Sequence, residues 1–331
     1  MKSHTYEFTV RDLFALLVPP LGVVGLFAVL LHLSAAFHLL PPPRPTLDLG
    51  RTVLLHQAAA SQSAQDANLL LLGDSSCLMN VAARPLGVWL PGVTALNLGT
   101  DNHLDPVSYA TLLRHYTATN RAPLRAVVLL MHPEALRRAA TEPGHTEMLT
   151  RFFDQADHSH GDGVYPRLAE WLGLDILKGR VLSRVVPAPL HQEFGMAYGF
   201  TSDLWQYLTA NQGSAIDPRQ FTGEPGQGNT EYRLSEHIKS AGQTFKSAMP
   251  AGVKLIAGIT PVPESLAPRG YPERYQQWLR DWSLFLQADA LLTNLPPTLP
   301  DHQFASKAHL NESGVRAYTI FLARELELLV R

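Results

Sequence analysis

The chain of 331 residues contains a single cysteine, Cys77, so no internal disulfide braces the fold. Cys77 lies in an apolar context and reads as a small buried hydrophobe. Charge is also scarce: 17% of residues are Asp, Glu, Lys or Arg, the formal net charge is −2, and no basic run occurs. A nucleic-acid partner therefore has no electrostatic footing. The glycine-rich stretch Gly223-Glu224-Pro225-Gly226-Gln227-Gly228 lacks the Lys-Ser/Thr of a phosphate loop and reads as a flexible turn. Asp157-His158-Ser159-His160-Gly161-Asp162 is the nearest approach to a metal cluster, but nothing else marks a metal site and it reads as a solvated polar loop. No metal and no cofactor are expected.

Fixed charge is absent altogether from Leu13 to Leu40. Leu21 to Leu40 alone reaches the roughly 20 residues needed to cross a bilayer. A membrane anchor over residues 13–40, after an N-terminal tail of residues 1–12, is the straightforward reading. Ser34-Ala35-Ala36 offers the small residues of a cleavable signal peptide, the competing reading, although the apolar region exceeds the usual length of about 7–15. Pro19-Pro20 should kink or begin the spanning helix, and Pro41-Pro42-Pro43 with Pro45 should end it in a stiff spacer. Lys2 and Arg11 before the span balance Arg44 and Arg51 after it, so charge does not set the orientation. The behaviour of N-terminal anchors in general favours a body outside the cytoplasm, periplasmic or extracellular.

Hydrophobic residues make up 46% of the whole chain, enough apolar material for a real core. After a spacer and leading helix (residues 41–66, helix from about Asp48 to Gln65), strands and helices alternate. Strands are expected at Ala67–Gly73, Thr94–Leu98, Ala126–Met131, Val253–Ile259 and, more weakly, Ala290–Thr293. Helices are expected at Asp105–Thr119, Tyr232–Ala248, Pro272–Gln287 and at the C-terminus, where Val315, Tyr318, Leu322, Leu326 and Leu329 share a face. This order implies an α/β fold, a three-layer parallel sheet, over residues 67–331. Residues 135–230 interrupt the alternation, with helices expected around Arg167–Val185 and loops at Val186–Gly199 and Gly213–Gly228. Such a block between core strands is expected as an insertion over the strand ends.

Three short segments carry candidate chemistry: Gly73-Asp74-Ser75-Ser76, Asn97-Leu98-Gly99 and His309-Leu310-Asn311. A serine hydroxyl is a poor nucleophile until a base takes its proton, and histidine is the usual base. Ser75 falls at the carboxyl end of a central strand, where open α/β sheets place ligands, and at the start of a helix, whose unpaired N–H groups suit an oxyanion. Gly99, ending the neighbouring strand, offers a second N–H.

At these residues the chain resembles the SGNH (GDSL-type) hydrolase superfamily, in particular its membrane-anchored branch, the DltD- and AlgJ/AlgX-like proteins of bacterial envelope acylation. Gly73-Asp74-Ser75 matches the first block, Asn97-Leu98-Gly99 the glycine block, and His309-Leu310-Asn311 with Gly314 the terminal block. The resemblance runs from about Asn68 to Arg331, leaves the insertion unmatched, and implies an SGNH/flavodoxin-like sheet. It implies Ser75 as nucleophile, His309 as base, and the N–H groups of Ser75 and Gly99 as oxyanion donors, with Asp74, Asn97 and Ser306 in support. Two departures stand out. Ser306 occupies the place of the triad Asp, three residues before the histidine, so Asp301 is the candidate third member if its loop folds back, and a Ser306-supported dyad is the alternative. The Gly-x-Asn-Asp block is also missing, and His132, in His132-Pro133-Glu134, is the candidate for the lost side-chain donor.

By this resemblance the expected function is a serine esterase or O-acyltransferase acting on acyl groups, most plausibly acetyl, of an envelope or secreted polysaccharide. The implied partners are a glycan or acyl-ester substrate, the membrane, and a membrane-bound acyltransferase. The alternative expectation is a catalytically inactive glycan-binding or scaffold subunit of an acylation complex.

Overall fold

In a computed structural model the chain is described at residues 9–36, 49–62, 66–100, 104–120, 122–140, 146, 149–150, 152–153, 201–217 and 233–330. The first element, α1 (Val10–Ala36), runs unbroken through Pro19 and Pro20. Leu13, Phe14, Leu16, Leu21, Val23, Leu26 and Phe27 are all exposed along it. Its Val10–Leu30 window has a mean hydropathy of 2.5. This helix is long and apolar enough to cross a membrane, and a signal sequence shares those properties. The expected proline spacer at residues 41–45 lies outside the described residues.

The body is α/β. Its central sheet contains β1 (Leu69–Gly73), β2 (Ala95–Asn97), β3 (Ala126–Met131), β4 (Lys254–Ile259) and β6 (Ala290–Leu291), all parallel, in the order β2-β1-β3-β4-β6. Between β4 and β6 the chain makes β5 (Val262–Pro263), which pairs with β7 (Thr298–Leu299) in a small parallel ribbon. β1 and β3 are buried at every residue. A strand buried on both faces reads as an unbroken apolar run, as Leu69-Leu70-Leu71-Leu72 does.

Helices cover both faces. Leu70, Leu72, Val127 and Leu129 pack into one core with α5 (Pro106–Thr119), α7 (Glu236–Ser247) and α8 (Tyr271–Leu286), while Leu69, Leu71, Ala126 and Val128 pack into a second with α4 (Ala83–Trp89) and α9 (Glu312–Leu329). Helix starts follow their local chemistry. Asp105 caps α5 by accepting from the Ser108 N–H, with Pro106 in the first turn, Ser235 caps α7 and Asn311 caps α9. The limits of the expected helices shift by at most four residues, mostly inward, with the helix expected from Pro272 starting one residue earlier at Tyr271, and the strand expected to start at Thr94 begins at Ala95.

α2 (Leu49–Gln62) packs against α5 and against α6 (Thr201–Ala210). Sequence reading anticipated neither α6 nor its contact with α2. The helices expected at Arg167–Val185, the loops Val186–Gly199 and Gly223–Gly228 and the polar stretch Asp157–Asp162 lie outside the described residues.

The sheet order fixes where a ligand would sit. From β1 the chain moves outward to β2, then returns past β1 to β3 and continues to β4. Strand order therefore reverses between β1 and β3, and open α/β sheets bind ligands at the carboxyl ends on either side of such a reversal. Ser75 follows β1 and His132 follows β3.

Candidate active site

β1 ends at Gly73, whose φ is +151°; a Cβ there would lie 1.8 Å from the Leu130 carbonyl oxygen on β3. Glycine is thus required for the chain to leave the sheet at this point. Asp74 caps α3 (Ser75–Asn80). Its Oδ1 accepts from the Ser76 N–H (2.9 Å) and Ser76 Oγ (2.6 Å), and its Oδ2 accepts from the His132 N–H (2.8 Å). The buried carboxylate therefore ties the end of β1 to the end of β3, and three donors offset its desolvation.

The two adjacent serines have different fates. Ser76 is fully buried, donates to Asp74 and accepts from Thr260 Oγ1 at 2.8 Å. Ser75 Oγ instead lies 2.9 Å from His309 Nε2. As the first residue of α3, Ser75 has a backbone N–H with no intrahelical acceptor.

His309 comes from the loop between β7 and α9. That loop folds on itself: Phe304 and Leu310 form an antiparallel bridge, and the N–H groups of Ala305 and Ser306 donate to the His309 carbonyl. Ser306 Oγ accepts from the N–H groups of His309 (3.1 Å) and Ala308 (3.4 Å). Ser306 thus supports the loop rather than the ring. A further clasp comes from Asn80, at the end of α3, whose Nδ2 donates to the Ala308 carbonyl (3.0 Å) and whose Oδ1 accepts from the Leu310 N–H (2.8 Å). Asn80 grips the main chain on both sides of His309 from the helix that carries Ser75.

The group behind His309 is neither of the sequence candidates. Asp301 is engaged elsewhere, its Oδ1 accepting from the Ser265 N–H at 3.0 Å. Asp217 Oδ2 lies 2.9 Å from His309 Nδ1, and the Asp217 side chain is fully buried. With a carboxylate on Nδ1, the neutral imidazole holds its proton there and turns the Nε2 lone pair toward Ser75.

Asp217 is delivered by a tightly held segment at the end of the insertion. Gly213 has φ +82°, and a Cβ there would lie 1.9 Å from the Asn97 carbonyl oxygen. The Gln212 carbonyl accepts from the Asn97 N–H, and the Ala215 N–H donates to Leu78. Ser214 Oγ receives the Ala83 N–H and lies 3.2 Å from Asn97 Nδ2. Gln57 on α2 completes the support, its Nε2 donating to the carbonyls of both Gly99 (2.7 Å) and Gly213 (3.0 Å).

Gly99 does not present the free N–H that sequence reasoning assigned to it. Its N–H donates to Asn97 Oδ1 at 2.8 Å. Asn97 is itself fully used, its Nδ2 donating to the carbonyls of Cys77 and Val81, so it knits β2 to α3. The Cys77 thiol lies 3.7 Å from the same Oδ1, and burial, with the nearby Asp74 charge, pushes its pKa well up. An un-ionised, enclosed thiol has no nucleophilic role.

His132 is buried beside this network. Its Nδ1 accepts from the Glu134 N–H at 3.2 Å, and its Nε2 is buried with no hydrogen-bond partner among the described residues.

Asp217 is the functional candidate that sequence reading missed. It is the only charged residue between positions 204 and 218, a lone carboxylate in an uncharged stretch, which was the available signal. No spacing rule links it to His309, because the contact is made across the fold. Ser75, Asp217 and His309 occur in the order Ser…Asp…His, one of several chain orders that build the same geometry. The arrangement has a hydroxyl, an imidazole and a carboxylate in hydrogen-bonded series, the set needed to transfer a proton from a serine as it attacks a carbonyl carbon. No protein-family model matches the chain, and no curated protein matches it.

Proposed function

We propose that the chain is an SGNH-like serine esterase or O-acyltransferase, membrane-anchored through α1, that removes or transfers a small acyl group, most plausibly acetyl, on an envelope or secreted polysaccharide. The observation that carries this reading is the series Ser75–His309–Asp217, joined by two contacts of 2.9 Å. The parallel sheet with order β2-β1-β3-β4-β6 supports the SGNH/flavodoxin-like assignment, as does the origin of Ser75 and His309 in the first and terminal blocks of that superfamily.

In this mechanism Ser75 Oγ attacks the ester carbonyl carbon while its proton passes to His309 Nε2. The carbonyl π electrons move to oxygen. Collapse of the tetrahedral intermediate re-forms the carbonyl and breaks the bond to the sugar oxygen, which leaves with the proton from His309 as an alcohol. The acyl-Ser75 ester is then cleaved by water, in hydrolysis, or by a second sugar hydroxyl, in transfer. Asp217 stays ionised throughout and stabilises the imidazolium. The body is proposed to face the periplasm or exterior, where such glycans are found, with a membrane-bound acyltransferase as donor partner.

The test is fluorophosphonate labelling of the full-length protein in detergent, together with acetate release from a chromogenic acetyl ester. Wild type should label at Ser75 and turn over; S75A should do neither. Equal turnover by S75A removes the serine from the mechanism. One observation favours a second reading, a non-catalytic glycan-binding subunit: the Gly99 N–H is committed to Asn97, which leaves the oxyanion one backbone donor short. Absence of both labelling and turnover in wild type selects that reading.

A further inference from the structure

We infer that His132 is the missing oxyanion donor, a catalytic residue whose Nε2–H receives the negative charge that develops on the substrate carbonyl oxygen when Ser75 attacks. The inference rests on the serine mechanism above and deepens it.

The argument starts from the ring's protonation state. Because His132 Nδ1 accepts the Glu134 N–H, the neutral ring must carry its proton on Nε2, where it is a donor. Burial above all lowers the His132 pKa; the Asp74 and Glu134 carboxylates oppose that, while the charges of His309 and Arg137 add to it. The ring is therefore neutral in its resting state, a hydrogen-bond donor rather than a competing cation.

That donor has no acceptor among the described residues. His132 is 7% exposed, and Nε2 itself is buried and unpaired. A buried polar group without a partner costs about 1–3 kcal/mol and calls for a reason. An acceptor that arrives only with substrate, and gains charge only in the transition state, supplies one.

Position supports the same role. The backbone N–H of His132 is held by Asp74, the residue immediately before Ser75, whose Oγ in turn meets His309. His132 and Ser75 follow the two strands between which sheet order reverses. Gly99, the other candidate donor, has spent its N–H on Asn97.

The experiment measures kcat and KM for an acetyl ester, and the rate of fluorophosphonate labelling at Ser75, in full-length wild type, H132A and H132Q, with thermal melts as folding controls. H132A should lose about 100- to 1000-fold in kcat at unchanged KM, as removal of one such donor does elsewhere. H132Q, whose amide N–H can donate, should recover at least tenfold of that loss. A purely structural histidine would not give this split between kcat and KM together with rescue by an amide. A kcat for H132A within about threefold of wild type overturns the inference, as does an H132Q no better than H132A when both melt like wild type. If H132A fails to fold, H132Q decides alone: a kcat above about one-hundredth of wild type supports the donor role, and a larger loss with a native melt refutes it. Wild type that neither labels nor turns over refutes this inference together with the serine mechanism. Labelled, active wild type with an active H132A refutes this inference alone.

Discussion

Replacing Asp217 with asparagine isolates the charge behind His309 while keeping the shape of the side chain. The carboxylate oxygen is 2.9 Å from Nδ1 and the side chain is fully buried, so little solvent screens the pair. Two unit charges about 4 Å apart at an effective dielectric constant near 20 attract by about 4 kcal/mol, which corresponds to roughly 1000-fold in rate if the imidazolium forms only in the transition state. Asparagine also presents an N–H₂ that favours the wrong tautomer of the ring, which adds to the loss. D217N should therefore reduce kcat for an acetyl ester by about 1000-fold or more at neutral pH. The matched control is D301A, which removes the other sequence candidate. Asp301 bonds the Ser265 N–H, so its loss should change kcat by less than about threefold and lower stability by about 1 kcal/mol. The assay is steady-state ester hydrolysis with melts for both variants. A native-like D217N that retains full activity, or a D301A that loses it, refutes the assignment of Asp217 as the group that orients His309.

N80A removes both bonds that flank His309; it should cost about 1–3 kcal/mol in denaturant melts and lower kcat more than tenfold at unchanged KM. G73A drives a methyl to 1.8 Å from the Leu130 oxygen and should destabilise the body by about 3 kcal/mol or more, read as a fall in melting temperature or in soluble yield. His56 on α2 is buried against Trp205, with Nε2 on Thr209, and burial lowers its pKa to about 4. A depressed histidine means that the unfolded chain binds the extra proton first, so stability is fully present above about pH 6.5 and is lost as pH falls toward 4. The loss is at most about 3 kcal/mol; melts across that window should show it and H56Q should flatten it. The full-length protein should resist carbonate extraction from membranes, and a C-terminal reporter active only in the periplasm should be active; a cytoplasmic reporter signal reverses the proposed orientation.

The parts legible in sequence are those whose physics is local. Leu69–Leu72 and Ala126–Met131 announce buried strands because both faces are covered and every residue must be apolar. Asp105-Pro106 and Asn311 announce helix starts because a cap needs an acceptor side chain beside the first turn. The closeness of Ser75 and His309 was suggested by motif, and the two side chains lie 2.9 Å apart. What sequence could not show is long-range. Asp217 reaches His309 across 92 residues, and Asn80 reaches Ala308 and Leu310 across about 230. Nothing in the Ser306–His309 spacing reveals that Ser306 would turn its hydroxyl to the loop's own N–H groups. Gly99 misled for a related reason: whether its N–H faces a ligand depends on the rotamer of Asn97, which no periodicity encodes.

The position of α2 bounds the distance between α1 and Ser75. α1 ends at Ala36 and α2 begins at Leu49, and the 13 peptide steps between them reach at most about 45 Å when fully extended. Gln57 fastens α2 to the carbonyls of Gly99, just after β2, and of Gly213, in the segment that delivers Asp217 to His309, so the leash ends on the site's own scaffold rather than on a remote face of the body. If α1 is held in a bilayer and Ser75 acts on esters, as proposed, esters carried on the same membrane would be met at the raised effective concentration of an intramolecular encounter, whereas a polymer already released into solution would have to diffuse back to the surface. Under the proposed function, the length of the leash would select acyl groups by their height above the lipid before any pocket selects them by shape.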